Sequence, residues 1–122
     1  MSILKVLKGG RGSDEGSRDV QKEIAEMVTG NELVLFMKGT PQAPRCGFSA
    51  RAVEVLQQYR PNFFSFDVLT DNDIREGIKE YSNWPTIPQA YFKGEFIGGS
   101  DILLEMHQSG ELAEVLGQAE SR

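Results

Sequence analysis

Apolar residues first recur at Val20, Ile24, Met27 and Val28, offsets of four, seven and eight that set them on one face of a helix. That helix starts near Arg18 and is closed by Gly30 and Asn31. The rhythm then changes. Leu33 to Met37 (LVLFM) is an unbroken apolar run of strand length between turn residues, the pattern of a central strand buried on both faces. Lys38 to Arg45 (KGTPQAPR) predicts a loop, from its glycine and two prolines. Phe48, Ala52, Val55 and Leu56 return to helical spacing, so a second helix begins at Cys46 and runs out at Pro61.

Phe63 to Val68 reads as a second strand, and Thr70 followed by Asp73 resembles a helix cap ahead of Ile74 and Ile78. Gln89 to Phe92 and Glu95 to Ile97 are short β-prone runs joined by Lys93-Gly94, a link suited to a hairpin. Ser100-Asp101 looks like the N-cap of a helix through Ile102, Leu103 and Met106 that stops near Gly110. Glu111 to Ala119 predicts a final helical stretch. The order α, β, α, β, α, β, β, α with a helical extension is that of an α/β domain, a four-stranded mixed sheet covered by helices. Residues 1–17, which include GGRGSDEGS, read as a flexible leader, 18–119 as the domain and 120–122 as a tail.

A length of 122 residues with 39% hydrophobic content fits one packed domain. The net charge of -5, with dispersed Lys and Arg, argues against a dedicated nucleic-acid binder. No apolar run approaches the roughly 20 residues that span a bilayer, and the start MSILKVLKGG lacks the pattern of a secretory signal, so a soluble chain is expected. A single cysteine excludes a disulfide framework and favours a reducing compartment.

Cys46 is therefore either an inert small hydrophobe or a reactive thiol. Pro44, Arg45 and Gly47 place it at a loop-to-helix corner, outside any apolar stripe, where free N–H groups and the helix dipole favour a thiolate. Lys38 and Arg45 are near enough in sequence to add to this. The residues alone leave Arg75 and Lys79, at i and i+4, as a solvated helix face, and Pro88 as an ordinary trans proline. His107, the only histidine, reads as a surface or partly packed residue, and Trp84 and Tyr81 serve equally as packing or as a ligand-facing surface.

Four ordered blocks carry a resemblance: Lys38-Gly39-Thr40, Cys46-Gly47-Phe48-Ser49, Trp84-Pro85-Thr86-Ile87-Pro88-Gln89 and Gly98-Gly99-Ser100-Asp101. In order and spacing they resemble the signature elements of monothiol glutaredoxins, over about Arg18 to Leu116. The run Tyr81-Ser82-Asn83-Trp84 and the stretch Asp101 to Gln108 are most similar to the single-domain mitochondrial type. The resemblance implies a thioredoxin-like fold and a pocket for glutathione. It puts Lys38, Arg75 and Lys79 toward the glycyl carboxylate, Ile87 before a cis Pro88 as main-chain partner of the cysteinyl unit, and Ser100 and Asp101 at the γ-glutamyl end. Ser100 departs from the many relatives that carry a second cysteine there, which rules out an internal disulfide with Cys46.

Where a dithiol enzyme has its resolving cysteine this chain has Ser49, so disulfide chemistry at Cys46 needs an external thiol, with glutathione the abundant candidate. A two-iron, two-sulfide (2Fe-2S) cluster takes four thiolates and one chain supplies one. Two chains and two glutathiones complete the set, which points to a homodimer when loaded and a monomer when empty. The expectation is a cluster carrier serving iron-sulfur donor and acceptor proteins, with Cys46 as both reactive and metal-ligating residue. By resemblance it belongs in the mitochondrial matrix if eukaryotic, otherwise in the cytoplasm. The alternative is a glutathione-dependent thiol-disulfide oxidoreductase that deglutathionylates proteins through Cys46, an activity that the resemblance implies is weak at most. A thioredoxin-fold adaptor that leaves Cys46 dispensable is the third reading.

Overall fold

A computed structural model of the chain describes residues 18–117; the expected leader and tail, and the last two residues of the expected final helix, lie outside them. The elements run α1 (Val20–Thr29), β1 (Leu33–Met37), β2 (Gly39–Thr40), β3 (Ala43–Pro44), α2 (Gly47–Gln57), β4 (Phe64–Asp67), a 3-10 turn (Val68–Thr70), α3 (Asn72–Ser82), β5 (Gln89–Phe92), β6 (Glu95–Gly98), α4 (Ser100–Ser109) and α5 (Glu111–Leu116). Strand order is β4-β1-β5-β6, with β1 and β4 parallel and the other neighbours antiparallel. This is the expected four-stranded mixed sheet.

All five residues of β1 are buried, and strand geometry sends alternate side chains to opposite faces. Leu33, Leu35 and Met37 join Ala52, Leu56, Leu103, Leu112 and Leu116 in a core under α2, α4 and α5. Val34 and Phe36 join Ile24, Val28, Ile74, Ile78 and Tyr91 in a second core under α1 and α3. A continuous apolar run at the sheet centre is thus shared between two helical layers. Among the described residues no helix is long and apolar enough to cross a membrane.

Local chemistry moves several boundaries. The Lys38 to Arg45 segment is not a plain loop: β2 and β3 pair as a short antiparallel ribbon. The α3 cap is Asp71, whose carboxylate accepts the Ile74 amide at 3.2 Å, because the Thr70 hydroxyl is engaged upstream, donating to the Asp67 carbonyl at 2.7 Å. Arg18 forks between Glu23 and Asp71, tying the start of α1 to that cap and holding both carboxyls below their ordinary pKa. The α4 cap is Gly99 with no side-chain bond, so Ser100 and Asp101 already lie within the helix. α5 ends at Leu116, closed by Gly117 in the left-handed region.

Gly77 of α3 lies against α1. A Cβ there would meet Val20 Cγ1 at 2.6 Å and Ile24 Cδ1 at 3.1 Å, and Val20 is stiff at χ1. In an open helix, Gly→Ala stabilises by about 1 kcal/mol; overpacking at a closed contact costs about 1–3 kcal/mol. The clash should win, so Gly77→Ala is expected to lower Tm by several degrees in a thermal circular-dichroism scan, and a raised Tm would show that the helices yield.

Candidate functional site

The four strand ends that the register brings together make the site. Met37 at the end of β1 lies opposite Asp67 at the end of β4, Phe36 opposite Gln89 at the start of β5, and Ala90 opposite Gly98 at the end of β6. Each following or preceding loop therefore opens on the same edge of the sheet.

From β1 the chain turns at Gly39, whose φ of 91° and crowding suit only glycine: a Cβ would sit 2.5 Å from the Ala43 carbonyl oxygen and 2.7 Å from the Arg45 nitrogen. The Gly39 amide donates to Asp67 Oδ1 at 2.9 Å, and the Arg45 amide donates to the Lys38 carbonyl at 2.8 Å. These bonds deliver Cys46 to the N-cap of α2 with an extended backbone. Its Sγ accepts the Ser49 amide at 3.4 Å and lies 3.5 Å from Ser49 Oγ. Ser49 is fully buried, and its hydroxyl accepts the Lys38 amide at 3.0 Å. Once the sulfur is a thiolate, that hydroxyl has one proton left to donate, and Sγ is the acceptor beside it. Burial pushes the Cys46 thiol up, but the Ser49 hydroxyl, the Ser49 and Phe48 amides and the Lys38 charge together bring it below its ordinary value.

Beside the cysteine is a cavity of about 420 Å³. Lys38 from the end of β1, Arg75 and Lys79 from α3, Ile87 and Pro88 from the segment before β5, and Ser100 and Asp101 from the first turn of α4 all line it. Cys46 is not part of the lining; it adjoins the cavity through Lys38 and Phe48. The Ile87-Pro88 bond is cis. Arg75 Nε is buried without a hydrogen-bond partner among the described residues, while Lys79 Nζ lies 3.4 Å from Glu76. Three cations and an orphaned guanidinium N–H are the complement of a small ligand bearing carboxylates.

Three contributors were not anticipated. Phe48 shares the helical spacing of Ala52, Val55 and Leu56, yet it is 60% exposed and lines the cavity, because it sits in the first turn, ahead of the residues that reach the core. Ser49 was credited only with lacking a thiol; its spacing of three from the cap residue is the signal that points to a bond back to Cys46. Gln89, fully buried, donates to the Trp84 and Thr86 carbonyls, both at 3.1 Å, and accepts the Tyr91 hydroxyl, so it fixes the segment that leads to Ile87. Trp84 lines the cavity, whereas Tyr81 packs against Tyr91, and His107 bonds the Tyr59 hydroxyl away from the site.

A family model described as Glutaredoxin matches residues 33–97. The chain is 53% identical over 98 residues to an uncharacterized monothiol glutaredoxin ycf64-like protein of Synechocystis, covering 80% of this chain and 92% of that protein. The chain belongs to the monothiol glutaredoxins. It is also 57% identical over 97 residues to the mitochondrial glutaredoxin-related protein 5 of zebrafish, covering 79% of this chain. It spans 63% of that protein's length and only 20% of the length of another curated relative. The solution structure of reduced poplar apo GrxS14 superposes with a TM-score of 0.72 at 44% identity, covering 84% of this chain and 94% of that one, so the fold is the thioredoxin-like fold of glutaredoxins. Several of the similar glutaredoxins are named mitochondrial.

In a glutaredoxin with one thiol, the state of that thiol decides everything downstream. Ser49→Ala should raise the Cys46 pKa and slow alkylation by iodoacetamide at mildly acidic pH several-fold, while Ser49→Thr retains the donor and most of the rate. A thiol lowered by folding adds stability above its unfolded pKa, and this is lost as pH falls through the folded value. The stability advantage of the native chain over Ser49→Ala is thus expected to be largest at alkaline pH and to shrink on acidification to the pH-independent part that comes from the Lys38 amide's lost acceptor.

Proposed function

We propose that this glutaredoxin binds glutathione in the cavity beside Cys46 and, as a homodimer, carries a 2Fe-2S cluster that it passes to acceptor proteins in iron-sulfur cluster assembly. The observation that carries the reading is a single stabilised thiolate next to a cation-lined cavity. Glutathione is an extended peptide with a carboxylate at each end. Lys38, Arg75 and Lys79 suit its glycyl carboxylate, Ile87 ahead of cis Pro88 its cysteinyl main chain, and Ser100 and Asp101 its γ-glutamyl end. The orphaned Arg75 Nε supports the fit, since a bound carboxylate supplies the missing acceptor.

The cluster is cargo. The described residues contain no group of three or more His, Cys, Asp or Glu arranged to hold a metal, and the chain has one cysteine. Four thiolates then come from two copies of Cys46 and two glutathiones. Ligands half supplied by an exchangeable small thiol suit release to a recipient. The place of action is the mitochondrial matrix in a eukaryote and the cytoplasm otherwise, a reading supported by the names of the similar proteins.

The lowered thiol also favours a second reading, a glutathione-dependent oxidoreductase. The Cys46 thiolate attacks the glutathionyl sulfur of a protein–glutathione disulfide and releases the protein thiolate. A second glutathione thiolate then attacks the Cys46–glutathione disulfide, giving glutathione disulfide and restoring Cys46.

Arg75→Ala is expected to weaken glutathione binding by about 1–3 kcal/mol, roughly five- to 150-fold, in calorimetry; unchanged affinity would place glutathione elsewhere. Native mass spectrometry after anaerobic reconstitution with iron, sulfide and glutathione should show a dimer with one cluster and two glutathiones, and no loaded species when every small thiol is omitted. A cluster-bearing monomer, or a loaded dimer without bound thiol, would refute this ligation.

A further inference from the structure

Among the described residues, the sheet order leaves β6 with one partner, β5. Against its open side runs a groove of about 650 Å³ between β6 and the helices α4 and α5. Phe92, Ile97, Ile102, Met106 and Val115 give it an apolar lining. Phe96, which packs toward the opposite core, reaches the same groove, so the groove wraps the strand edge and is not confined to one face of the sheet. An unpaired strand beside alternating apolar positions is the template on which an extended chain adds itself by main-chain hydrogen bonds.

The charges select what can be added. Glu95 from β6, Glu105 from α4 and Glu111 from α5 all line the groove, all are exposed, and none forms an ion pair with a described residue. The one cation on the lining, Lys93, stacks over the Phe92 ring with its Nζ 5.4 Å from the centroid. A charge on an edge strand often serves only to prevent sheet-to-sheet aggregation. That accounts for Glu95; it does not account for Glu105 and Glu111, which reach the same groove from two separate helices. Three carboxylates repel nucleic acid and anionic lipid and attract Lys or Arg.

We propose that this groove is a docking surface for an extended segment of a partner protein that pairs with β6 as a fifth strand, with basic residues at alternate positions on the helix-facing side toward Glu95, Glu105 and Glu111 and apolar residues between them on the side of Phe96. Ile102 lines both this groove and the cavity beside Cys46, so a segment docked here ends next to the small-ligand site. The proposal does not depend on what that site binds.

The test uses the full chain, reduced and without cluster or glutathione, titrated with a capped nine-residue peptide of alternating valine and lysine and followed by amide chemical shifts. Shifts should concentrate at residues 92–98 and 102–106, and β6 amides should gain exchange protection. The glutamate-for-lysine peptide should not bind. Glu105→Lys combined with Glu111→Lys, both on exposed helix surface, should weaken the valine–lysine peptide at least ten-fold without altering Tm appreciably. Four results would overturn the proposal: no binding, shifts spread over the acidic surface and indifferent to the charge reversal, self-association of the free chain through β6, or contacts from the chain's own residues 1–17 filling the groove.

Discussion

The buried hydroxyl of Ser49 accepts the Lys38 amide and lies against Cys46 Sγ, so one oxygen joins the end of β1 to the cap of α2. The position demands both halves of a hydroxyl. Without the acceptor, the Lys38 amide would lose its partner beside the core, a defect worth about 1–3 kcal/mol; without the donor, the partly buried sulfur would lose a bond that offsets its desolvation. A thiol at the same place is a weak donor and a weak acceptor and would do each task poorly. The serine therefore does more than remove a resolving thiol. It exchanges intrachain disulfide chemistry for a sulfur that is held in place and whose pKa is lowered.

That bond can form only because the sheet sets its ends in register. The parallel pairing of β1 with β4 brings Asp67 beside the turn after Met37, where its carboxylate takes the amides of both Gly39 and Leu69 at 2.9 Å. One side chain thus serves two loops, and the β2–β3 ribbon cannot drift away from the end of β4 without breaking the Gly39 bond. On the other side of β1, the antiparallel pairing places Gln89 opposite Phe36, and its carboxamide holds the Trp84 to Thr86 carbonyls. The two core layers anchor these strands from both faces, so the site inherits its rigidity from residues that never touch it.

Strands and helices were legible wherever burial follows a period: β1 as an unbroken run, α1 and α3 as stripes, the hairpin from Lys93-Gly94. The cavity residues were legible only through resemblance, because Lys38, Arg75, Ile87 and Ser100 lie far apart in sequence and meet through strand register, which no local pattern states. Capping was misread for a different reason. Thr70 and Ser100 are good cap residues by type, but the 3-10 turn engages Thr70, and Gly99 caps α4 without a side chain, so the choice falls to backbone geometry and not to propensity. The exposure of Phe48 is not legible because helical spacing gives a face but not the depth at which the helix leaves the core.

Charge finally separates two surfaces on a small acidic domain. Around the cavity, three cations, Lys38, Arg75 and Lys79, share the lining with one carboxylate, Asp101. These cations are not equivalent. Lys79 has Glu76 near it and Lys38 acts on the Cys46 thiolate, which leaves Arg75 with a buried N–H that nothing accepts. A carboxylate bound there relieves a defect that the free protein carries, so affinity should depend on Arg75 more than on Lys79, which loses part of its solvation and its Glu76 partner in return for the ligand. Across Ile102 the sign reverses, with Glu95, Glu105 and Glu111 facing an apolar groove. On the proposed readings, a small anion and a basic chain are drawn to adjoining sites of opposite charge that share Ile102.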